Sequence, residues 1–319
     1  MATSSHASDD NQTKTFKTFP EFSKLTLADR GQYEEIIRHY PPIADVSFPS
    51  LMSWWNPLGS CAAATMNGNL VLSYWLPGDE RASGLSFFGV DYVDESICEI
   101  FDYLRDKGEA TRLVHVPEFV VGNMKHPELF QFVSERDYDE CVLATTDLYP
   151  LERATSYMRR KVERFLRAAN EDHVKLAPSD LRLSRNQDTL CASAREWEKK
   201  GKFHDVGRID REAFEFTVAN ADVLGVENIC LYVKGRLAAV QLYQRSSDDR
   251  YIVGTFLRFV STFPGVAEFM LYALARSVMD RGVSYINYEQ DLGLSWMRAQ
   301  KLALGPRTFL RKYTVEPAR

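Results

Sequence analysis

Residues 283–315 read VSYINYEQDLGLSWMRAQKLALGPRTFLRKYTV. The alternation of Val283, Tyr285 and Asn287 predicts a short strand, because successive side chains of an extended chain point to opposite faces. Glu289, Gln290 and Asp291 follow at its end, where side chains leave the sheet, and Leu292-Gly293 breaks the strand. From 294 to 304 the apolar spacing is that of a short helix. Leu294, Met297, Leu302 and Leu304 are expected inward, with Arg298 and Lys301 together on another face. Gly305-Pro306 ends that helix, and 308–315 reads as a closing strand. Acidic and basic groups are thereby gathered at one strand end.

Working upstream, a helix over 266–281 is stopped by Gly282 and preceded by a strand at 251–260. Strands at 228–233 and 237–243 hinge at Lys234-Gly235, and a helix spans about 211–224. The same order occurs earlier in the chain. A helical pattern runs from 25 to 40, then strands at 61–66 and 70–76 flank Asn67-Gly68-Asn69, residues that accept the positive φ of tight turns. A strand at 85–90, a helix at 95–107 stopped by Gly108, a strand at 111–116, a shorter helix near 127–136 and a strand at 141–149 follow. Aligning the hairpin turns takes a shift of about 167 residues, and aligning the helix-stopping glycines about 174. The inference is a tandem duplication of one α/β unit, two unrelated α/β domains being the alternative.

Composition bounds the function. The chain has 319 residues, 45% of them hydrophobic, enough for two domains each with its own core. A formal net charge of −5 argues against a general nucleic-acid coat protein but leaves room for a local basic patch. The five cysteines are scattered and show no C-x-x-C, as in free thiols of a reducing cytoplasm, so a cytoplasmic location is expected. No apolar run approaches the roughly 18 residues of a spanning helix. The opening MATSSHASDDNQTKT has no apolar segment and reads as a disordered tail over 1–15. No G-x-S-x-G, P-loop or Rossmann fingerprint occurs, and the six histidines lack metal-ligand spacing. No metal and no tightly bound cofactor are expected. His204, in a loop, is a minor candidate for the border of a cleft.

The unit order is that of the GNAT acyltransferase fold. The stretch NYEQDLGLSWMRAQKLALGP, followed by LRKY, resembles the signature of the phosphatidylglycerol lysyltransferase C-terminal-domain family, including its free-standing members. That signature is a strand, an N-x-E-x-D-L-G segment, an L/M-R-x-x-K helix and a final K-Y. The resemblance covers about 48–315 and is most specific at the C-terminus. Tyr288 departs from the family, where an arginine is usual. Residues 153–175, RATSYMRRKVERFLRAANEDHVK, resemble the basic linking helix of this family and of the Fem-type aminoacyl-tRNA-dependent ligases, with Val162 where an asparagine would stand. The resemblance implies an α/β (α+β) fold of two tandem GNAT-like domains, 16–150 and 181–319, joined by a basic helix within 151–180 that floors the groove between them. It further implies transfer of an aminoacyl group, from aminoacyl-tRNA as co-substrate, to an amine or hydroxyl of a small molecule, peptide or lipid head group. An acyl-CoA-dependent N-acyltransferase and a non-catalytic binding module are the alternatives.

Candidate site residues follow from both readings. Glu289, Asp291 and Lys301 are the candidate catalytic groups: a carboxylate at a strand end is placed to take a proton from an attacking nucleophile, and Lys301 to stabilise an oxyanion. Asp291 alternatively caps the following helix, with Glu289 paired to Arg298 or Lys301. Arg159, Arg160, Lys161, Arg298, Arg307, Arg311 and Lys312 are candidates for holding donor phosphates, or else cover a solvated helix and an edge strand. Asn287, Tyr288 and Tyr243 are candidates for the substrate pocket, although tyrosines there also suit a core. The loop before the 266–281 helix offers one glycine and a proline, Pro264-Gly265, in place of a glycine-rich turn. The equivalent loop at 90–94 is acidic. A CoA pyrophosphate is therefore disfavoured in the first unit, while the second leaves room for one.

Overall fold

In the computed structural model of the chain, the described residues are 15–55, 60–75, 83–134, 136–200, 207–246 and 248–318. All but the last residue of the expected tail, and His204, lie outside them. The first unit supplies β1 (Ser23–Lys24), β2 (Ser60–Met66), β3 (Asn69–Trp75), β4 (Gly84–Phe88), β5 (Leu113–Pro117), β6 (Phe130–Ser134) and β7 (Glu140–Ala144). The second supplies β8 (Val174–Ala177), β9 (Val226–Val233), β10 (Arg236–Arg245), β11 (Tyr251–Phe259), β12 (Tyr285–Asn287), β13 (Thr308–Leu310) and β14 (Lys312–Pro317). The helices are α1 (Arg30–Ile37), α2 (Val93–Asp106), α3 (Ser156–Ala169), α4 (Ser184–Lys200), α5 (Gly207–Ala219), α6 (Val266–Met279) and α7 (Ser295–Ala303), besides shorter turns.

Two seven-stranded sheets result, in the orders β1-β2-β3-β4-β5-β14-β6 and β8-β9-β10-β11-β12-β7-β13. The orders are equivalent position by position, with one exchange. β7 of the first unit sits in the second sheet, paired antiparallel with β12, and β14 of the second unit sits in the first, paired with β5 and β6. The strands therefore cross the boundaries expected at 150 and 181. The closing strand expected as one piece over 308–315 is two, because the chain passes from one sheet to the other at Arg311. The helix expected near 127–136 is instead mostly β6: residues 130–134 pair with β14 rather than with their own turns. Helix α4 was not anticipated from the pattern.

Three apolar clusters hold the layers. One lies between the sheets, with Leu70, Leu72, Tyr74 and Phe88 facing Val240, Leu242 and Phe256, and with Tyr33, Phe48 and Phe214 between them. Trp54 stacks on Phe256 at 5.5 Å and Trp55 packs on Tyr74, so both tryptophans complete this core. A second cluster packs α2 on the first sheet through Ile97, Ile100 and Leu104. The third packs α6 on the second sheet and α3 on α6, through Met158, Val162, Phe165 and Ala169. The basic helix thus lies on the outside of the second sheet and does not floor the groove between the units. Its approach is close. Gly265, at φ +87°, has the Lys161 carbonyl oxygen 2.2 Å from where a Cβ would stand, so only glycine fits there. No helix among the described residues is long and apolar enough to cross a membrane.

Candidate active site

Asn287 closes β12, and its Oδ1 accepts the Glu289 amide at 2.9 Å. Glu289 and Leu292 then take left-handed backbone conformations, φ +57° and +52°. The strand's alternation is lost, and the two acids expected to act together face different surroundings. Asp291 is buried and fully engaged. Its carboxylate accepts from the Gly293 amide at 3.1 Å and from Arg298 at 2.9 and 3.1 Å, and Arg136 lies 3.0 Å away. Burial alone would raise its pKa, but these donors and cations outweigh it and hold the carboxyl below its usual range. Arg298 also meets Asp137 at 2.5 Å. Asp291 is therefore an anchor rather than a base, and Arg298 is committed to two aspartates rather than to phosphate.

Lys301 is likewise turned inward. Its Nζ donates to the carbonyls of Tyr288, Glu289 and Gln290, the last two at 2.9 Å, and sits 4.9 Å from the Tyr288 ring centre. All three protons are taken by the turn, leaving none for an oxyanion or phosphate. Burial pulls its pKa below the ordinary value, the neighbouring Glu289 opposing. Lys301→Met should cost roughly 2–4 kcal/mol of stability by stranding those carbonyls. Urea unfolding checks it; a phosphate-binding lysine would instead leave the transition midpoint in place.

Glu289 is not engaged in this way. It is half-buried, and among the described residues its side chain makes no hydrogen bond. Desolvation pushes its carboxyl up to about 8, Lys301 opposing while Glu140 and Asp45 add to the rise. It stands where the sheet opens. β11 pairs with β12 only from Tyr251 to Val253 and runs on to Phe259, while the partner chain turns away after Asn287. The equivalent opening in the first sheet follows β4, whose pairing with β5 is confined to Leu85 and Leu113.

Beneath Glu289 the two units meet in a buried polar cluster. Glu140 and Lys312 begin the two exchanged strands, equivalent positions of the repeat, and Lys312 Nζ donates to Glu140 Oε1 at 2.7 Å. Lys312 also bonds to Asp45. Glu140 Oε2 accepts from the Ala44 amide at 2.8 Å and from Asn287 Nδ2 at 2.5 Å. Asn287 Nδ2 also reaches the Pro42 carbonyl at 2.8 Å, and Gln290 Nε2 reaches Asp45 at 2.9 Å. Burial would raise Asp45 and lower Lys312, but their mutual attraction wins, so the carboxyl lies well below and the ammonium well above their ordinary ranges. His115, buried at φ +53°, places Nδ1 3.5 Å from Asp45 and packs its ring against Tyr74 and Tyr138. Beside Pro42 an interfacial cleft opens, lined among others by Glu34, Arg38, Gln244, Arg245 and Val253.

Of the candidates, the structure brings together Asn287, Glu289 and Lys312, with Tyr288 on the flank. Lys312 serves there as a buried counter-ion, not as a phosphate ligand. Tyr243 is elsewhere, on the α6 side of the sheet with its hydroxyl 3.3 Å from Glu227, and does not line this site. Arg159 donates to the Glu152 carbonyl, Arg160 is exposed, and Lys161 lies 3.7 Å from Glu268, all on or beside α3. Arg307 is exposed, and Arg311 pairs with Glu118 at 3.1 Å. These five do not converge on Glu289.

The sequence reading missed Asp45, His115 and Glu140. The usable signal was a lone polar residue within an apolar strand, as in LVHVP and ECVLA, since a buried charge demands a partner. Glu268 was missed as well. It lies buried in the first turn of α6, accepting from Tyr157 at 2.7 Å and Gln300 at 3.2 Å.

Comparison with known proteins bears on this arrangement. A structure of a conserved protein of unknown function from Bacteroides thetaiotaomicron is 21% identical, with a TM-score of 0.76, covering 92% of this chain and 98% of that one. The structure of L-PGS from Bacillus licheniformis is 15% identical, with a TM-score of 0.60, covering 96% and 95%. A tandem GNAT protein from the clavulanic acid biosynthesis pathway is 12% identical, with a TM-score of 0.50, covering 94% and 98%. The fold is thus the tandem GNAT-like one. No protein of curated function matches in sequence. The family model of the phosphatidylglycerol lysyltransferase C-terminal region matches residues 60–316, and the chain belongs to that family.

Proposed function

We propose that this chain transfers an aminoacyl group from the ester of an aminoacyl-tRNA to an amine or hydroxyl acceptor, with Glu289 as general base. Family and fold support an acyl- or aminoacyltransferase; the donor and the role of Glu289 are our reading. The observation that carries it is the half-buried Glu289 carboxyl, without a hydrogen-bond partner, pushed up to about 8 at the mouth of the β11–β12 opening. A base with a pKa near the working pH combines a usable ionised fraction with proton affinity. As the acceptor's N or O attacks the ester carbonyl, its proton passes to Glu289. The ester C–O bond then breaks, and the same proton goes to the departing ribose oxygen, which leaves as a hydroxyl.

Two helix N-termini support tRNA over CoA. A pyrophosphate would use the free amides and positive dipole end of such a helix. Here the first turn of each carries an acid of the protein's own, an unfavourable neighbour for a pyrophosphate. Glu268 fills the first turn of α6, and Asp94 that of α2, accepting the Lys125 amide at 2.8 Å. The acceptor is a small molecule, a peptide or a lipid head group, the last in keeping with the family's name, and the site of action is the cytoplasm, where charged tRNA is made.

The test is incubation with a pool of charged tRNAs and cell extract, followed by mass spectrometry. A product gaining an aminoacyl mass, dependent on charged tRNA and not on acyl-CoA, is expected. Acyl transfer from a CoA thioester would overturn the donor assignment.

A further inference from the structure

Helix α7 and the turn before it follow their hydrophobic pattern only in part: Leu304 is buried and Met297 half-buried, as expected, but the rest departs from it. Lys301, expected outside, is 6% exposed, and Arg298 is drawn onto Asp291 and Asp137. Leu294 and Leu302, expected inside, are 41% and 51% exposed, with Leu292 at 56% and Trp296 at 48%. Ala299 is exposed between them. Scattered single leucines on a surface are ordinary, but this many large apolar side chains within 292–302 make a patch, and patches mark interaction sites.

The patch continues into a cationic one. Thr155, the N-cap of α3, donates to the Ala303 carbonyl at 2.9 Å, which joins the end of α7 to the start of α3. The apolar side of α3 is buried on α6, and its outer side carries Arg160, Arg164 and Arg167, all exposed, with Arg153 just before it. Among the described residues these four arginines make no side-chain hydrogen bond or ion pair, and Glu163 is the one acid among them.

We propose that the outer faces of α7 and α3 together dock the protein on an anionic lipid bilayer. Leu292, Leu294, Trp296 and Leu302 enter the boundary between head groups and acyl chains, and the α3 arginines meet head-group phosphates. Adjacent apolar and arginine-rich helical surfaces have the chemistry of an interfacial membrane anchor. An RNA would use the arginines but would leave the leucines uncovered. Docking in this way holds the Glu289 turn, which leads directly into α7, near the head-group level. The proposal stands apart from the transfer reading, and its test needs no turnover.

The test is co-sedimentation of the full chain with phosphatidylcholine vesicles, with and without phosphatidylserine, at low and high salt. Binding is expected only with phosphatidylserine and is weakened by salt. Leu294→Ser/Leu302→Ser should weaken it at least about tenfold, and Arg164→Gln/Arg167→Gln by roughly fivefold per arginine. Neither pair should move the thermal midpoint, since all four residues are exposed. Failure of the folded parent to bind the anionic vesicles would overturn the proposal. So would binding that ignores the α7 changes, or vesicle-independent tRNA binding lost through those same leucines.

Discussion

Glu289→Gln should reduce aminoacyl transfer roughly 10²- to 10⁴-fold, the range for removing a general base, without weakening the fold. The parent's rate should rise with pH through an inflection near 8, where the carboxyl ionises, and that inflection should vanish in the variant. Stability supplies an independent check. The folded carboxyl titrates near 8 against an ordinary 4.5, so between those values the native protein holds more protons than the unfolded chain. Stability must then fall as pH rises through that window. Glutamine cannot ionise, so urea unfolding should find the variant at least as stable as the parent at pH 9, and their difference smaller at pH 5. A variant that lost stability and activity together at pH 9 would show Glu289 to be structural.

Lys312→Met should destabilise the protein by about 3–5 kcal/mol, because Asp45 and Glu140 would be left buried without their cation. The residue is 1% exposed and bonds both acids, so solvent cannot replace the lost charge. The effect should depend on pH in a defined sense. Asp45 titrates below its ordinary range in the parent, so its stabilising contribution is present above the unfolded pKa and lost as pH falls through the folded one. The gap between parent and variant should therefore narrow on acidification below about pH 4. Chemical unfolding from pH 3 to 7 measures this. If Lys312 held a donor phosphate, the substitution would instead leave unfolding unchanged and weaken donor binding.

These two residues divide what could be read from the chain. Glu289 was legible because it follows a short alternating strand just before a glycine break, which puts a carboxylate at a strand end whatever the fold around it. Lys312 was legible only as a charge. Its partners are Asp45, far back in an irregular segment, and Glu140, which opens a strand of the other unit. Helix α7 shows the same limit. Leu304 lies inward, as expected. Residues 294, 298, 301 and 302, however, are spaced i, i+4, i+7 and i+8 and share one side of a 3.6-residue period, so spacing could not decide which of them enters the interior. The carbonyls of Tyr288, Glu289 and Gln290 needed donors, and the buried Asp291 needed a cation, so Lys301 and Arg298 were drawn inward.

The sequence by itself determined most of the order of elements, the duplication and the strand end that carries the acid. Local periodicity, turn residues and helix stops act within a few residues and are written in the chain. Only the tertiary structure decided which sheet each closing strand joins, which face of α7 is buried, and which charges neutralise one another. A short strand such as Glu140–Ala144 or Lys312–Pro317 can pair with either sheet on its own pattern. The choice belongs to long-range pairing, and to the cost of leaving a buried charge or backbone group without a partner.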